Sequence, residues 1–288
     1  MVYFLDQLED GQSLAGLQKN LDGFSNLARE AVVFLWDNLH DTLPASYAEK
    51  KHYPAVVMLL TRHVCEHLDG VAIVAAQGAA EPCKLCLRSA LEAAICIQYI
   101  LEADSDRRGL GYIVEHAHRK IDLYDSLKPA QQAPHASYIA GLKSMLTKAE
   151  FVDVEADWQA RKGKANWYSL FKGPPNFKDM CDRLKQDDLY EWAYRHWSSA
   201  MHATDGFEKI AGSSSATGEK SIKPLRHPDG LQGHVVFAIG VAHMVSRWIL
   251  DRWGTKEQKE KAQADYEANI RPGLKELQGG DLIRAAWH

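Results

Sequence analysis

The sequence predicts an all-α fold, a single-domain multi-helix bundle. Apolar residues recur at helical spacing along most of the 288 residues, the pattern of helices with one buried side. Alternating apolar and polar runs are scarce, and no Asn-Gly turn joins two apolar segments, so β-hairpins are not expected. A hydrophobic content of 46% and a charged content of 25% are those of an ordinary globular protein.

Nine helices are expected, with prolines near several of the proposed ends. Their approximate ranges are 13–40, 54–79, 82–103, 106–127, 131–149, 176–186, 187–210, 231–252 and 255–277. Apolar residues cover most of the circumference at 56–80, 85–101 and 235–250, which predicts central helices or an oligomer interface. The Gly- and Ser-rich segment 212–230 predicts a mobile loop. We expect an N-terminal helical cover at 1–50, a helical core domain at 51–252 and a C-terminal helix and tail at 253–288.

Charge and cysteine content exclude several classes of protein. A net charge of −4 provides no basic surface for duplex DNA, although RNA contact at an active site stays open. The N-terminus turns acidic after five residues and lacks the pattern of a signal peptide. An odd number of cysteines, five, in mostly apolar helices suggests reduced thiols and a cytoplasmic location. No apolar run reaches the length of a membrane span, and 235–250 is interpreted as a core helix.

A polar stripe runs along the predicted helix 187–210. At 100° per residue, with Tyr194 at zero, Ser198 falls at about 40°, His202 at about 80° and Arg195 at about 100°. Asp205 lies on the same side, and the apolar side of the helix is adjacent. At the border between the polar and apolar sides of a helix the effective dielectric constant is lower than in water, and a ligand can still reach the polar groups. The alternative is an ordinary solvated face.

Two neighbouring helices carry further polar groups inside apolar runs. Arg88 and Glu92 are the only charged residues between Lys84 and Glu102, and their i,i+4 spacing predicts an ion pair. A purely structural buried pair is the main alternative to a functional one. A second group interrupts the helix at 54–79 and suggests an internal polar layer: Arg62, His63, Glu66, His67 and Asp69. If these helices pack together, the stripes meet in one cavity.

Three stretches together resemble an uncharacterised bacterial domain-of-unknown-function family, number 5677. They are Leu87-Arg88-x3-Glu92, Trp167-Tyr168 before a Gly-Pro turn, and Tyr194-x3-Ser198-x3-His202. The likeness covers roughly residues 50–250. It implies an all-helical fold and marks Arg88, Glu92, Tyr194, Ser198 and His202 as family-like positions. It implies no assigned activity.

More remotely, Arg195-x6-His202 is similar to the Arg-x(4–6)-His motif of the HEPN superfamily, helical RNases of toxin–antitoxin and phage-defence systems. That resemblance implies a homodimer in which two motifs face each other. In this chain the motif has the longest of those spacings, and His196 supplies the polar residue after the arginine.

The sequence therefore predicts a metal-independent endoribonuclease that needs no cofactor. His202 is the expected general base, Arg195 the phosphate clamp, and Tyr194 and Ser198 the orienting groups, with Arg88 and Glu92 in support. One alternative is a non-catalytic helical ligand sensor or interaction protein. Another is a metal-dependent helical-bundle enzyme that uses Glu92, His63, His67, His202 and Asp205.

Overall fold

The computed structural model describes residues 14–161, 166–201, 206, 210–213, 220–222, 226, 228 and 230–278. It confirms the all-α class. The α-helices are α1 (Leu14–Ala48), α2 (Tyr53–Ala75), α3 (Ala80–Glu102), α4 (Ser105–Asp125), α5 (Pro129–Gln132), α6 (Ala136–Leu146), α7 (Val152–Ala160), α8 (Phe177–Arg183), α9 (Asp187–Leu189), α10 (Arg195–Met201), α11 (Leu231–Trp253), α12 (Lys256–Asp265) and α13 (Arg271–Gln278). Turns of 3₁₀-helix lie at Ala133–His135, Ala149–Phe151 and Trp167–Lys172, and π-helical turns at Tyr190–Tyr194 and Tyr266–Ile270.

Helix α1 runs past the end that the sequence predicted. It continues through Pro44, although proline removes one helical hydrogen bond and its ring crowds the preceding turn. Leu39 and Thr42 precede the proline by five and two residues, and both are buried. The Thr42 hydroxyl donates to the carbonyl of Asn38. Packing of this turn therefore outweighs the cost of the proline. The chain leaves the helix before Lys50, which has a φ of 51°.

The predicted helix 131–149 is divided into α5, a 3₁₀ turn and α6. Pro134 lies in that 3₁₀ turn, where its missing N–H costs least. Helix α7 and the turn at Trp167–Lys172 were not predicted, because both are short and α7 has almost no apolar periodicity.

A short antiparallel hairpin begins at the last residue of the predicted helix 187–210. Strand β1 (Ile210–Ser213) pairs with β2 (Lys220–Ile222), with Ile210 opposite Ile222. Gly212 and Ser213 are poor helix formers, so strand pairing satisfies this backbone better than a further helical turn. Within the predicted loop 212–230, residues 220–222 are therefore strand, and most of its other residues lie outside the described part.

The chain is divided into two compact units. The first comprises residues 1–45, 60–95 and 191–288, and the second comprises 46–59 and 96–190. They cut across the three consecutive segments expected from the sequence, because residues of α2 and of α3 are assigned to both.

In the second unit, α4 packs against α6, α7 and the turn Trp167–Lys172. The core between them is formed by Leu110, Val114, Ala117, Ile121, Ile139, Leu146, Phe151, Val154, Trp158 and Leu170. Gly109 allows a close approach of α4 to the first turn of α2, because a Cβ at that position would lie 2.6 Å from the Cα of Tyr53.

In the first unit, α3 and α11 are buried on most sides, as their apolar content predicted. Helix α2 differs from that expectation, because Arg62, Glu66, Asp69 and Ile73 form an exposed stripe. Among the residues described, α11 alone has the length and composition of a membrane span. Since 56% of its most apolar stretch is buried within the protein, we interpret it as a core helix.

Candidate functional site

The candidate site begins with three polar residues on the otherwise apolar helix α3. Arg88, Ser89 and Glu92 are partly exposed, while Leu87 and Leu91 beside them are buried. Residues three and four positions apart share a side of a helix, so Glu92 is next to both Arg88 and Ser89. Helix α3 therefore presents a polar edge, and that edge contacts two different helices.

Arg88 contacts α10 and the π-helical turn before it. Its Nε donates to the Ser198 hydroxyl oxygen at 3.0 Å, and its Nη2 donates to the Tyr194 phenol oxygen at 2.8 Å. The guanidinium carbon also lies 4.5 Å from the centre of the Tyr194 ring, in cation–π range. We call Arg88, Tyr194 and Ser198 the arginine cluster. It brings together residues 106 and 110 positions apart in the sequence.

The local structure of α10 positions the two partners of Arg88. The Ser198 hydroxyl donates to the Tyr194 carbonyl at 2.6 Å, so that its lone pair is directed to the arginine. On the adjacent side, buried Trp197 packs edge-on against Phe237 of α11, with ring centres 4.7 Å apart. This aromatic contact anchors the helix, and the polar side chains then lie against α3.

The structure places the other predicted residues of the stripe differently. Arg195 lies outside the arginine cluster: its side chain is 73% exposed and pairs with Glu191 at 3.0 Å. His202 and Asp205 lie outside the described residues, and the sequence places His202 four residues after Ser198.

Glu92 does not form the expected ion pair with Arg88. Both side chains are described, and no contact within salt-bridge distance joins them; the described hydrogen bonds of Arg88 go to α10 instead. A guanidinium that reaches across to a neighbouring helix is turned away from the next turn of its own helix. The i,i+4 spacing was therefore insufficient evidence for a pair.

Ser89 links α3 to two histidines of α2. Its hydroxyl lies 2.9 Å from His67 Nε2 and 3.1 Å from His63 Nε2, and the two imidazole rings are 4.3 Å apart. We call these three residues the histidine cluster. Burial, together with the charge of His63, lowers the pKa of His67 from its ordinary value of 6.5, whereas the charge of Glu66 acts to raise it. The neutral form of the His67 imidazole is therefore favoured.

The acidic and basic neighbours of these histidines face solvent. Arg62 and Glu66 form an ion pair at 2.7 Å, with side chains 58% and 51% exposed. The expectation of an internal polar layer is therefore wrong for these residues and for Asp69. The layer is limited to the two histidines, which lie on the adjacent, half-buried side of α2. Among the described residues, no group of three or more His, Cys, Asp or Glu side chains is arranged to hold a metal ion.

The arginine cluster and the histidine cluster occupy adjacent residues of α3, Arg88 and Ser89. Together they place a permanent cation, a phenol, two hydroxyls and a neutral imidazole in a half-buried region. Reduced exposure to water strengthens the interaction of such groups with an anion. The five cysteines are free, and burial raises the pKa of Cys65 and of Cys83 to about 12, which makes both thiols unreactive at neutral pH.

The fold and these clusters define an all-helical protein with a polar centre built on α3. The chain belongs to the family of unknown function DUF5677, whose model matches residues 54–218. This confirms the resemblance to that family seen in the sequence, over a shorter range than 50–250. All members of both clusters lie inside the match. No curated protein and no solved structure matches the chain.

Sequence reasoning missed Ser89 as the partner of both histidines. A serine in the middle of an apolar helix, next to a charged residue, was the available signal. What the sequence lacked was the alignment of α2 with α3, which decides that His63 and His67 face this hydroxyl. The contact of Arg88 with the Tyr194 stripe was expected only on the condition that the helices pack together.

Proposed function

We propose that this protein is a metal-independent endoribonuclease of a bacterial toxin or phage-defence system, similar in its motif to HEPN RNases. One observation carries the proposal: Arg88 holds Tyr194 and Ser198, which precede His202 by eight and four residues. Spacings of four bring residues to one side of a helix. Arg88 therefore preorganises Tyr194 and Ser198, and the proposed reaction needs neither a metal nor a cofactor.

In this proposal His202 is the general base. It removes the proton from a ribose 2′-hydroxyl, and the resulting oxygen attacks the adjacent phosphorus. The bond from phosphorus to the 5′-oxygen breaks, and that oxygen takes up a proton as it leaves. The products are a 2′,3′-cyclic phosphate and a 5′-hydroxyl end, so atoms and charge balance without an added reactant. Base catalysis of this kind contributes about 10²–10⁴-fold to a rate.

Arg195 is the phosphate clamp. Its pair with Glu191 is a surface ion pair, and such a pair is worth about 0–1 kcal/mol. A phosphate displaces the carboxylate at small cost and gains bidentate hydrogen bonds to the guanidinium. Arg88 acts through Tyr194 and Ser198, which makes it a positioning residue.

The proposal includes a homodimer in the bacterial cytoplasm. In such a dimer two Arg195–His202 motifs face one shared RNA strand. Contact with RNA is confined to the active site, because the net charge of −4 disfavours a broad electrostatic footprint. Light scattering on the purified protein measures the oligomeric state, and a monomer at all concentrations would contradict this part.

A non-catalytic sensor or interaction protein is the second candidate, and one observation favours it. The polar groups of the arginine cluster are bonded to one another, as in a cluster whose role is structural. A metal-dependent enzyme is the third, favoured by the convergence of His63 and His67. Elemental analysis distinguishes this third candidate from the nuclease, because about one metal ion per chain supports a metal-dependent enzyme and argues against a metal-independent nuclease.

The test is cleavage of end-labelled RNA in the presence of a chelator. We expect wild type to produce 5′-hydroxyl ends and His202→Ala to lose about 10²-fold or more of the rate. Arg195→Ala should lose about 10²-fold, and Arg88→Met should lose activity while retaining RNA contacts through Arg195. His135→Ala, at an exposed histidine of the second unit, is the matched control and should cleave like wild type.

Two results would overturn the nuclease proposal. One is intact RNA with wild-type protein at high enzyme concentration. The other is cleavage by His202→Ala at the wild-type rate, which would indicate a contaminating nuclease.

A further inference from the structure

A second polar site lies wholly within the second unit, away from both clusters in the sequence. It is a cavity of about 90 Å³ whose cationic lining residues are Arg107, Arg108, Lys172 and Arg183. The helices α4 and α8 and the turn Trp167–Lys172 supply them. Tyr99, near the end of α3, forms part of the wall. Four cations thus surround one small cavity, although the chain as a whole has a net charge of −4.

Two of these cations are held in fixed positions. Arg108 and Arg183 both contact Glu102, at 2.8 and 3.1 Å. Their guanidinium carbons lie 3.8 and 5.6 Å from the centre of the Tyr99 ring. Although burial acts to raise the pKa of Glu102, the hydrogen bonds and charges of Arg108 and Arg183 lower it overall. The carboxylate is therefore ionised, and its two ion pairs fix the positions of both arginines. The side chain of Arg108 is only 10% exposed.

The other two cations have no carboxylate partner in the described chain. Arg107 lies over the ring of Phe171, with 4.7 Å from its guanidinium carbon to the ring centre. Lys172 is exposed and forms no ion pair with any described residue. With Asp104 as the acidic lining residue and Glu102 behind it, four positive charges face two negative ones. The site has an excess of about two positive charges.

The backbone around the cavity is shaped for this arrangement. Phe171 and Lys172 have φ values of 52° and 63°, so the chain turns sharply and presents both side chains to the cavity. A Cβ on Gly173 would lie 2.8 Å from the Tyr99 hydroxyl and closer still to the Tyr168 carbonyl, and only glycine fits there. The Tyr99 hydroxyl donates to that carbonyl at 3.0 Å. The turn is thus held against the wall of the site.

We propose that this cavity binds the phosphate group of a small phosphomonoester. A phosphomonoester near neutral pH carries close to two negative charges, which equals the charge excess of the site. Guanidinium groups bind phosphate oxygens through paired, charge-assisted hydrogen bonds, and this favours phosphate over a singly charged carboxylate. The volume admits one phosphoryl group, with the remainder of the ligand outside the mouth. The site is independent of the nuclease proposal, which uses residues of the first unit.

Isothermal titration calorimetry on the full chain tests the proposal at constant ionic strength. The probes are inorganic phosphate, adenosine 5′-monophosphate and adenosine. We expect both phosphates to bind and adenosine to give no heat. Tighter binding of the monophosphate identifies an esterified ligand, and equal affinity identifies free phosphate as the source of the same group. The variants Arg107→Gln and Lys172→Gln, at exposed positions, should weaken binding about 10-fold or more, while Lys143→Gln, an exposed lysine of the same unit, should bind like wild type.

Three results would overturn the proposal. The first is no binding of either phosphate by wild type. The second is unchanged affinity in Arg107→Gln and Lys172→Gln, with circular dichroism showing that both are folded. The third is binding of adenosine as tight as that of its monophosphate, because the phosphate would then contribute nothing. None of these results depends on whether the protein cleaves RNA.

Discussion

Replacing Arg88 by methionine removes the charge that holds α3 to α10 and keeps most of the side-chain length. The two hydrogen bonds that the guanidinium donates to described residues, Tyr194 and Ser198, are lost. At about 1.5 kcal/mol for a hydrogen bond to a charged group, they sum to about 3 kcal/mol. The cation–π contact adds about 0.5–1 kcal/mol. The variant also avoids the cost of partly burying the guanidinium charge, about 1 kcal/mol. The net loss of stability is therefore about 2–3 kcal/mol.

A double-mutant cycle isolates the contact within that total. Tyr194→Phe removes the phenol oxygen and keeps the ring, so we expect it to cost about 1–1.5 kcal/mol in the wild-type background. In the Arg88→Met background the same change should cost clearly less, because the hydrogen bond to the guanidinium is already absent. The coupling energy between the two positions is then about 1 kcal/mol. Arg195→Met, which removes an exposed arginine at the start of α10, is the control and should cost about 0–1 kcal/mol.

Urea unfolding provides the free energies. It should be followed by both far-ultraviolet circular dichroism and tryptophan fluorescence, because coincident curves are required before a single free energy is assigned. The reasoning is refuted if Arg88→Met costs no more than Arg195→Met. It is also refuted if Tyr194→Phe is equally costly in both backgrounds, since the hydrogen bond would then contribute nothing to stability.

Two further predictions concern packing and pH. Gly109→Ala should destabilise the protein by about 1–3 kcal/mol, because its Cβ would overlap Tyr53. Gly141→Ala is the control: it has open space around it in α6 and should stabilise the protein by about 0.5–1 kcal/mol. Equal effects of the two substitutions in urea unfolding would contradict the close approach of α4 to Tyr53. The free energy of unfolding should fall as the pH drops below about 6.5, since unfolded His67 takes up a proton there while the lowered pKa keeps the folded residue neutral. His67→Gln should reduce that dependence, and an unchanged slope between neutral and mildly acid pH would show that the histidine cluster does not contribute to it.

Much of the fold was predictable from periodicity, and the exceptions have identifiable causes. Long helices such as α3 and α11 are predictable because their apolar residues recur at helical spacing, a pattern that can be recognised without knowledge of tertiary contacts. The end of α1 was misplaced because burial of its last turns outweighs the proline at 44. The hairpin at 210–213 and 220–222 was missed because its strands are too short for an alternating pattern.

The sequence singled out individual residues of the candidate site, but it did not predict which of them contact each other. Arg88, Tyr194 and Ser198 stood out as polar residues at the edge of apolar helices. Their meeting depends on how α3 and α10 pack, which a single sequence does not contain. The same limit explains why the predicted pair of Arg88 with Glu92 does not form: spacing along a helix shows which contacts are possible, and the neighbouring helix decides which one forms. The cationic cavity was missed because its residues come from segments that are separated in sequence and have no shared motif.

The π-helical turn at Tyr190–Tyr194 has a consequence for sequence comparison across the family. A π turn holds one residue more than an α turn over the same length of axis. Deleting a single residue from it would restore regular α-helix and leave the orientation of α10 nearly unchanged, because the wider turn accommodates that residue within one rotation. In an ordinary α-helix the same deletion would rotate everything after it by about 100° and move Ser198 away from Arg88. A relative that lacks one residue in this turn is therefore expected to present the same side of α10 to α3, and a sequence alignment should place its gap within Tyr190–Tyr194.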